Sequence, residues 1–80
     1  MKRITTVTTA SLELRRRGMS VKDLAEVLER SANSLYPVVG RRRRATNPER
    51  VAIAAFLGAQ VEALFDEDGF ARVARVAANV

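Results

Sequence analysis

Eighty residues, 48% of them hydrophobic, are enough for one small core and too few for two domains. The absence of Cys and His excludes disulfides, thiol chemistry and the usual zinc sites, and no apolar run approaches the roughly 18 residues of a membrane span, so the chain reads as a cytoplasmic protein. The net charge of +5 is uneven: residues 1–50 carry twelve Lys/Arg against five Asp/Glu and residues 51–80 carry two against four, so a basic half suited to polyanions precedes a mildly acidic one.

The first nine residues start with Lys2 and Arg3 and continue ITTVTT, a β-branched stretch that suits either an edge strand or a disordered arm. Thr9 is a plausible N-cap for a short helix over Ala10–Arg17, with Leu12 facing inward and Arg15, Arg16 and Arg17 in the last turn, where cations suit the helix dipole. Gly18 supplies its C-terminal cap. Ser20 and Asp23 form a capping-box pattern for the next helix, whose apolar face is Val21, Leu24, Ala25 and Leu28.

That helix should end near Glu29 or Arg30, and Ser31 can cap another whose buried side is Leu35, Val38 and Val39. So short a connection forces the two helices to cross steeply. Gly40 ends the second of them and Arg41, Arg42, Arg43 and Arg44 follow in a loop.

Asn47 as N-cap, Pro48 at the first helical position and Glu49 in the first turn open a further helix with Val51, Ala54, Ala55, Phe56 and Leu57 on its apolar side. Gly58 breaks it, and Val61, Leu64 and Phe65 resume the pattern. Asp66, Glu67 and Asp68 read as a solvated turn ending in Gly69. Phe70, Val73, Ala74, Ala77 and Val80 then line one face of a last amphipathic helix, which packs on its own domain or pairs with a second copy. The expected fold is all-α, a compact bundle of five to six short helices with a short N-terminal strand left open.

The segment from Met19 to Arg44 resembles the helix-turn-helix of the lambda-repressor-like superfamily, the Cro, Xre and Ner type of phage and bacterial regulators. Leu24 and Ala25 stand where that family buries an apolar residue followed by a small one. Leu28, Leu35 and Val38 match its next inward sites. Glu29 and Arg30 occupy turn positions where the family usually has Gly and an apolar residue, and Val21 stands where it often has Gln. NPERVAIAAFLGAQVEALF is similar to the family's fourth helix, glycine break and short fifth helix. The resemblance covers residues 10–66, leaving 1–9 as an arm and 67–80 as an appended helix.

The resemblance implies binding to double-stranded DNA. A helix fits the major groove of B-DNA, and the outward residues of the second motif helix, Ala32, Asn33, Ser34, Tyr36 and Pro37, are the base-reading candidates. The Asn33 amide can pair bidentately with adenine, although Asn33 and Ser34 also suit simple helix-start capping. Pro37 either kinks this helix or, if the helix begins at Ser34, falls harmlessly in its first turn. The phosphate-binding candidates are Arg41, Arg42, Arg43, Arg44, Arg50, Lys22 and the helix start at Ser20.

No cofactor or small-molecule substrate is implied, and nothing in the chain suggests an enzyme. The expected activity is that of a sequence-specific regulator that occupies an operator. An excisionase-like architectural protein and an antitoxin-type interaction module are the alternatives, and a homodimer through the last helix or the N-terminal strand is left open.

Overall fold

A computed structural model describes the backbone of residues 3–79 and the side chains of residues 7–74. Strand β1 (Arg3–Thr8) leads into α1 (Thr9–Arg16), α2 (Val21–Val27), α3 (Ala32–Val39), α4 (Asn47–Leu57) and the single turn α5 (Val61–Leu64), and the chain returns as β2 (Val73–Asn79). Met1, Lys2 and Val80 lie outside the described residues. No helix among those described is long and apolar enough to cross a membrane.

The chain is mostly helical, as expected, but the expected last helix is corrected to a strand, and a two-stranded sheet closes the fold. β2 runs antiparallel to β1 from Arg3 opposite Asn79 to Thr8 opposite Val73, with an irregularity beside Val7 that leaves Ala74 as the extra residue. The stretch VARVAAN places apolar residues at both the helical and the alternating period, so pattern alone does not decide. Pairing does: a β-branched strand such as β1 is not stable by itself, and β2 supplies its partner. The junction is fixed by Thr9 donating its amide to Arg72 (3.0 Å) and Arg72 donating to Leu64 (2.8 Å).

Fully buried Leu24, Leu35, Val38, Ile53, Leu64 and Phe65 form the centre of the core, so every helix from α2 to α5 contributes to it. Each such side chain stabilises the fold by about 1.5–3 kcal/mol. The helix starts are one residue earlier than expected at two places. Thr8, rather than Thr9, caps α1, and Thr46, rather than Asn47, caps α4 in a capping box with Glu49. Ser20 and Asp23 form the expected box at α2.

The four longer helices share one ending. In each, the amide that follows a left-handed residue reaches back to a carbonyl of the last turn, as in Met19 to Leu14 (2.9 Å), Arg30 to Ala25 (2.9 Å), Arg42 to Pro37 (2.7 Å) and Ala59 to Ala54 (3.0 Å). This pattern needs a left-handed residue. Gly18 and Gly58 provide it after α1 and α4, whereas Glu29 (φ 55°) and Arg41 (φ 64°) adopt it after α2 and α3. The turn between α2 and α3 therefore takes a glycine-like path with a glutamate in the glycine's place.

Thr8 joins the strand to the far end of α3. Its hydroxyl donates to the Val39 carbonyl (2.7 Å) and accepts from the Ser11 amide (3.2 Å), and the side chain is buried. Thr8→Val keeps the shape but removes a helix cap and strands a carbonyl, so it is expected to cost about 2 kcal/mol in chemical denaturation, with the midpoint falling and the slope unchanged.

Candidate nucleic-acid interface

The helices α2 and α3 pack across residues 28–31, with Leu24, Ala25, Leu35 and Val38 buried between and beneath them. α3 begins at Ala32, so Pro37 is interior and removes the bond to the Asn33 carbonyl. The segment stays helical through Val39 regardless. Asn33 and Tyr36 are exposed and Pro37 half-buried; at spacings of three and four they share the outer face.

The five base-reading candidates separate accordingly. Ala32 packs partly against the core. Ser34 is tied locally: its hydroxyl donates to the Ser31 carbonyl (2.8 Å). Asn33 takes no capping role, since Ser31 occupies the cap position and no hydrogen bond of the Asn33 amide is found among the described residues. Asn33 and Tyr36 therefore carry the outward polar and aromatic chemistry of this helix.

The arginine loop divides in the same way. Arg41 donates to Asp66 (3.0 Å) and to the Ala71 carbonyl (2.8 Å). Arg43 forms a fork on Glu49 (3.3 and 3.1 Å) and also reaches the Ser34 carbonyl (2.7 Å). Arg50, a further phosphate candidate, is turned onto the Ala45 carbonyl (2.7 Å) and the Asn47 side chain. Arg42 and Arg44 keep their guanidiniums outward, that of Arg44 lying 5.6 Å from the Phe70 ring centroid. Lys22 is exposed at the start of α2. Beside it the Ser20 amide and hydroxyl are taken by Asp23 (2.9 and 3.1 Å).

Two carboxylates hold this loop in shape. Glu49 is buried, accepts the Thr46 amide (2.8 Å) and faces Arg43 and, at 3.8 Å, Arg30. Burial alone would push its pKa up, but the Arg43 fork and the two Thr46 bonds outweigh it and hold the carboxyl below its ordinary range. At Asp66, burial is likewise outweighed by Arg41 and by the amides of Phe70 and Asp68, so this carboxyl is also held low. The expected solvated acidic turn is thus half right: Glu67 and Asp68 are exposed, while Asp66 is pinned. Its last member, Gly69, has a φ of 89°, and a side chain there would meet the Arg50 guanidinium.

Sequence reasoning placed Arg15 only at a helix end. The structure sets it beside a groove of about 290 Å³ between α1, α2, α3 and the loop, where Ser11, Val21, Tyr36, Gly40 and Arg42 also line the walls. The adjacent Arg16 and Arg17 are used internally, Arg16 on Glu13 and Arg17 on Glu13 and the Leu57 carbonyl. The run of three cations was the available signal. Comparison with family models, curated proteins and solved structures gives no match for this chain.

Proposed function

We propose that the chain is a sequence-specific regulator that binds double-stranded DNA, with α2, the Glu29 turn and α3 acting as a helix-turn-helix of the lambda-repressor-like kind. The observation that carries this reading is the outer face of α3, where the Asn33 amide, without a hydrogen bond among the described residues, and the Tyr36 ring stand with exposed cations on neighbouring elements. In this reading α3 enters the major groove, Asn33 reads a base edge, and Lys22, Arg42 and Arg44 meet phosphates on either side. Operator occupancy is the regulatory act, carried out in the cytoplasm. A second copy, where one binds, would pair through the β1–β2 ribbon, whose two strands bring together both segments suited to that contact.

Selection from random duplexes should return a short preferred site. On that site Asn33→Ala is expected to cost about 1–3 kcal/mol of discrimination against random DNA while leaving the salt dependence intact. Equal losses on selected and random duplexes would remove Asn33 from base reading.

A further inference from the structure

Ten arginines have described side chains, and eight of them contact another group of the protein, seven through hydrogen bonds or ion pairs and Arg44 through a ring face that leaves its N–H groups free. Arg16, Arg17, Arg30, Arg41 and Arg43 pair with carboxylates, Arg50 and Arg72 donate to carbonyls, and Arg44 lies over Phe70. Arg15 and Arg42 alone do none of these among the described residues. Separated by 27 positions in the chain, they line the same groove. Among the described residues no carboxylate lines that groove, although the rest of the molecule pairs its cations readily.

We infer that this groove is a seat for one backbone phosphodiester of duplex DNA, gripped by Arg15 from α1 and Arg42 from the loop. The inference rests on the DNA-binding reading and extends it to a helix outside the helix-turn-helix. A phosphodiester offers two free oxygens, and guanidinium forks suit such oxygens from two directions. The flanking surfaces fit the rest of a nucleotide. Val21 and Tyr36 give the attached sugar an apolar wall, and the groove lies open so that a continuous strand can enter and leave it. Tyr36 belongs to both faces, as it stands on the outward side of α3 and lines the groove. Arg15 and Arg42 would thereby set how α3 sits in the major groove, since phosphate contacts fix register.

The chain contains one tyrosine and no tryptophan, so its intrinsic emission comes from Tyr36, on the groove wall and the outer face of α3, and the salt slopes of the variants tell the two faces apart. The test titrates random-sequence duplex into the full chain and into Arg15→Gln, Arg42→Gln and Arg16→Gln at several salt concentrations, following Tyr36 emission and its quenching by iodide. Duplex is expected to shield Tyr36 in the wild type. Arg15→Gln and Arg42→Gln should each make the slope of log K against log salt shallower by about 0.9, while Arg16→Gln keeps the wild-type slope. Thermal midpoints of all three should match the wild type closely, because the replaced groups are exposed.

A wild-type slope for Arg15→Gln alongside a reduced one for Arg42→Gln would overturn this assignment and leave the DNA reading standing. Failure of the wild type to bind duplex at low salt would remove both. Inorganic pyrophosphate shielding Tyr36 as well as duplex does, at equal phosphate concentration, would also overturn the backbone assignment in favour of a pocket for a free anion.

Discussion

Glu49→Gln is expected to lower the stability of the chain by about 2–3 kcal/mol at neutral pH, a fall of about 10–20 °C in thermal midpoint for a domain of this size. The carboxylate is buried, and its loss leaves Arg43 and Arg30 without their counter-ion while weakening the α4 capping box. Removing one partner of a fully buried pair costs about 3–5 kcal/mol; the smaller figure reflects guanidiniums that keep about 40% of their side-chain surface in solvent.

The effect has a definite pH signature. The folded pKa of Glu49 lies below its ordinary value of 4.5, so the stabilisation is fully present above that value and is lost as pH falls through the folded one. The gap between wild type and Glu49→Gln should therefore be full at pH 7 and close only on acidification below 4.5. Paired thermal melts across this range check it. A gap that is independent of pH would mean that the glutamate acts through shape alone.

Arg42→Gln combined with Arg44→Gln should make the slope of log K against log salt shallower by about 1.8 and weaken nonspecific duplex binding about 50-fold at 0.1 M salt, with little change in stability. The complementary pair, Arg41→Gln with Arg43→Gln, should change stability and leave the slope alone. These two arginines are bonded to Asp66, Ala71, Glu49 and Ser34, so their loss loosens the loop and lowers the melting temperature while the slope stays close to wild type. Salt titrations of both double variants, beside their melts, separate attraction from architecture. Equal slope losses in the two would show that all four arginines face the polyanion.

The helical part of this fold was legible in the sequence because its signals are local. Ser20 with Asp23, Pro48 with Glu49, and Gly58 each act within a few residues, and the starts of the helices fall within one or two residues of those expected, although α2 stops at Val27, short of Glu29 or Arg30. The β2 strand was not, because VARVAAN satisfies two periods and its choice depends on a partner at the opposite end of the chain. The caps at Thr8 and Thr46 were displaced by one residue because Thr9 and Asn47 are equally good candidates by residue type.

For the candidate interface, the exposure of Asn33 and Tyr36 was readable from helix spacing once Leu35 and Val38 were set inward. The division of the arginine run was not. Whether a given guanidinium is spent on the protein depends on where Glu49 and Asp66 arrive in three dimensions, and no periodicity encodes that. Glu29 shows a related limit, since a left-handed glutamate gives no compositional warning.

The β1–β2 ribbon also orders events during synthesis. β1 leaves the ribosome before every helix of the body, yet Arg3 pairs with Asn79, so it waits until the segments between the two strands have been translated. At roughly 5–20 residues per second, that leaves a β-branched strand without a partner for some seconds. The contacts of α1 to α5 span shorter loops and can form in the meantime. The nascent protein thus passes through a stage in which a helical body carries a bare strand edge, the period in which it is most exposed to pairing with another chain.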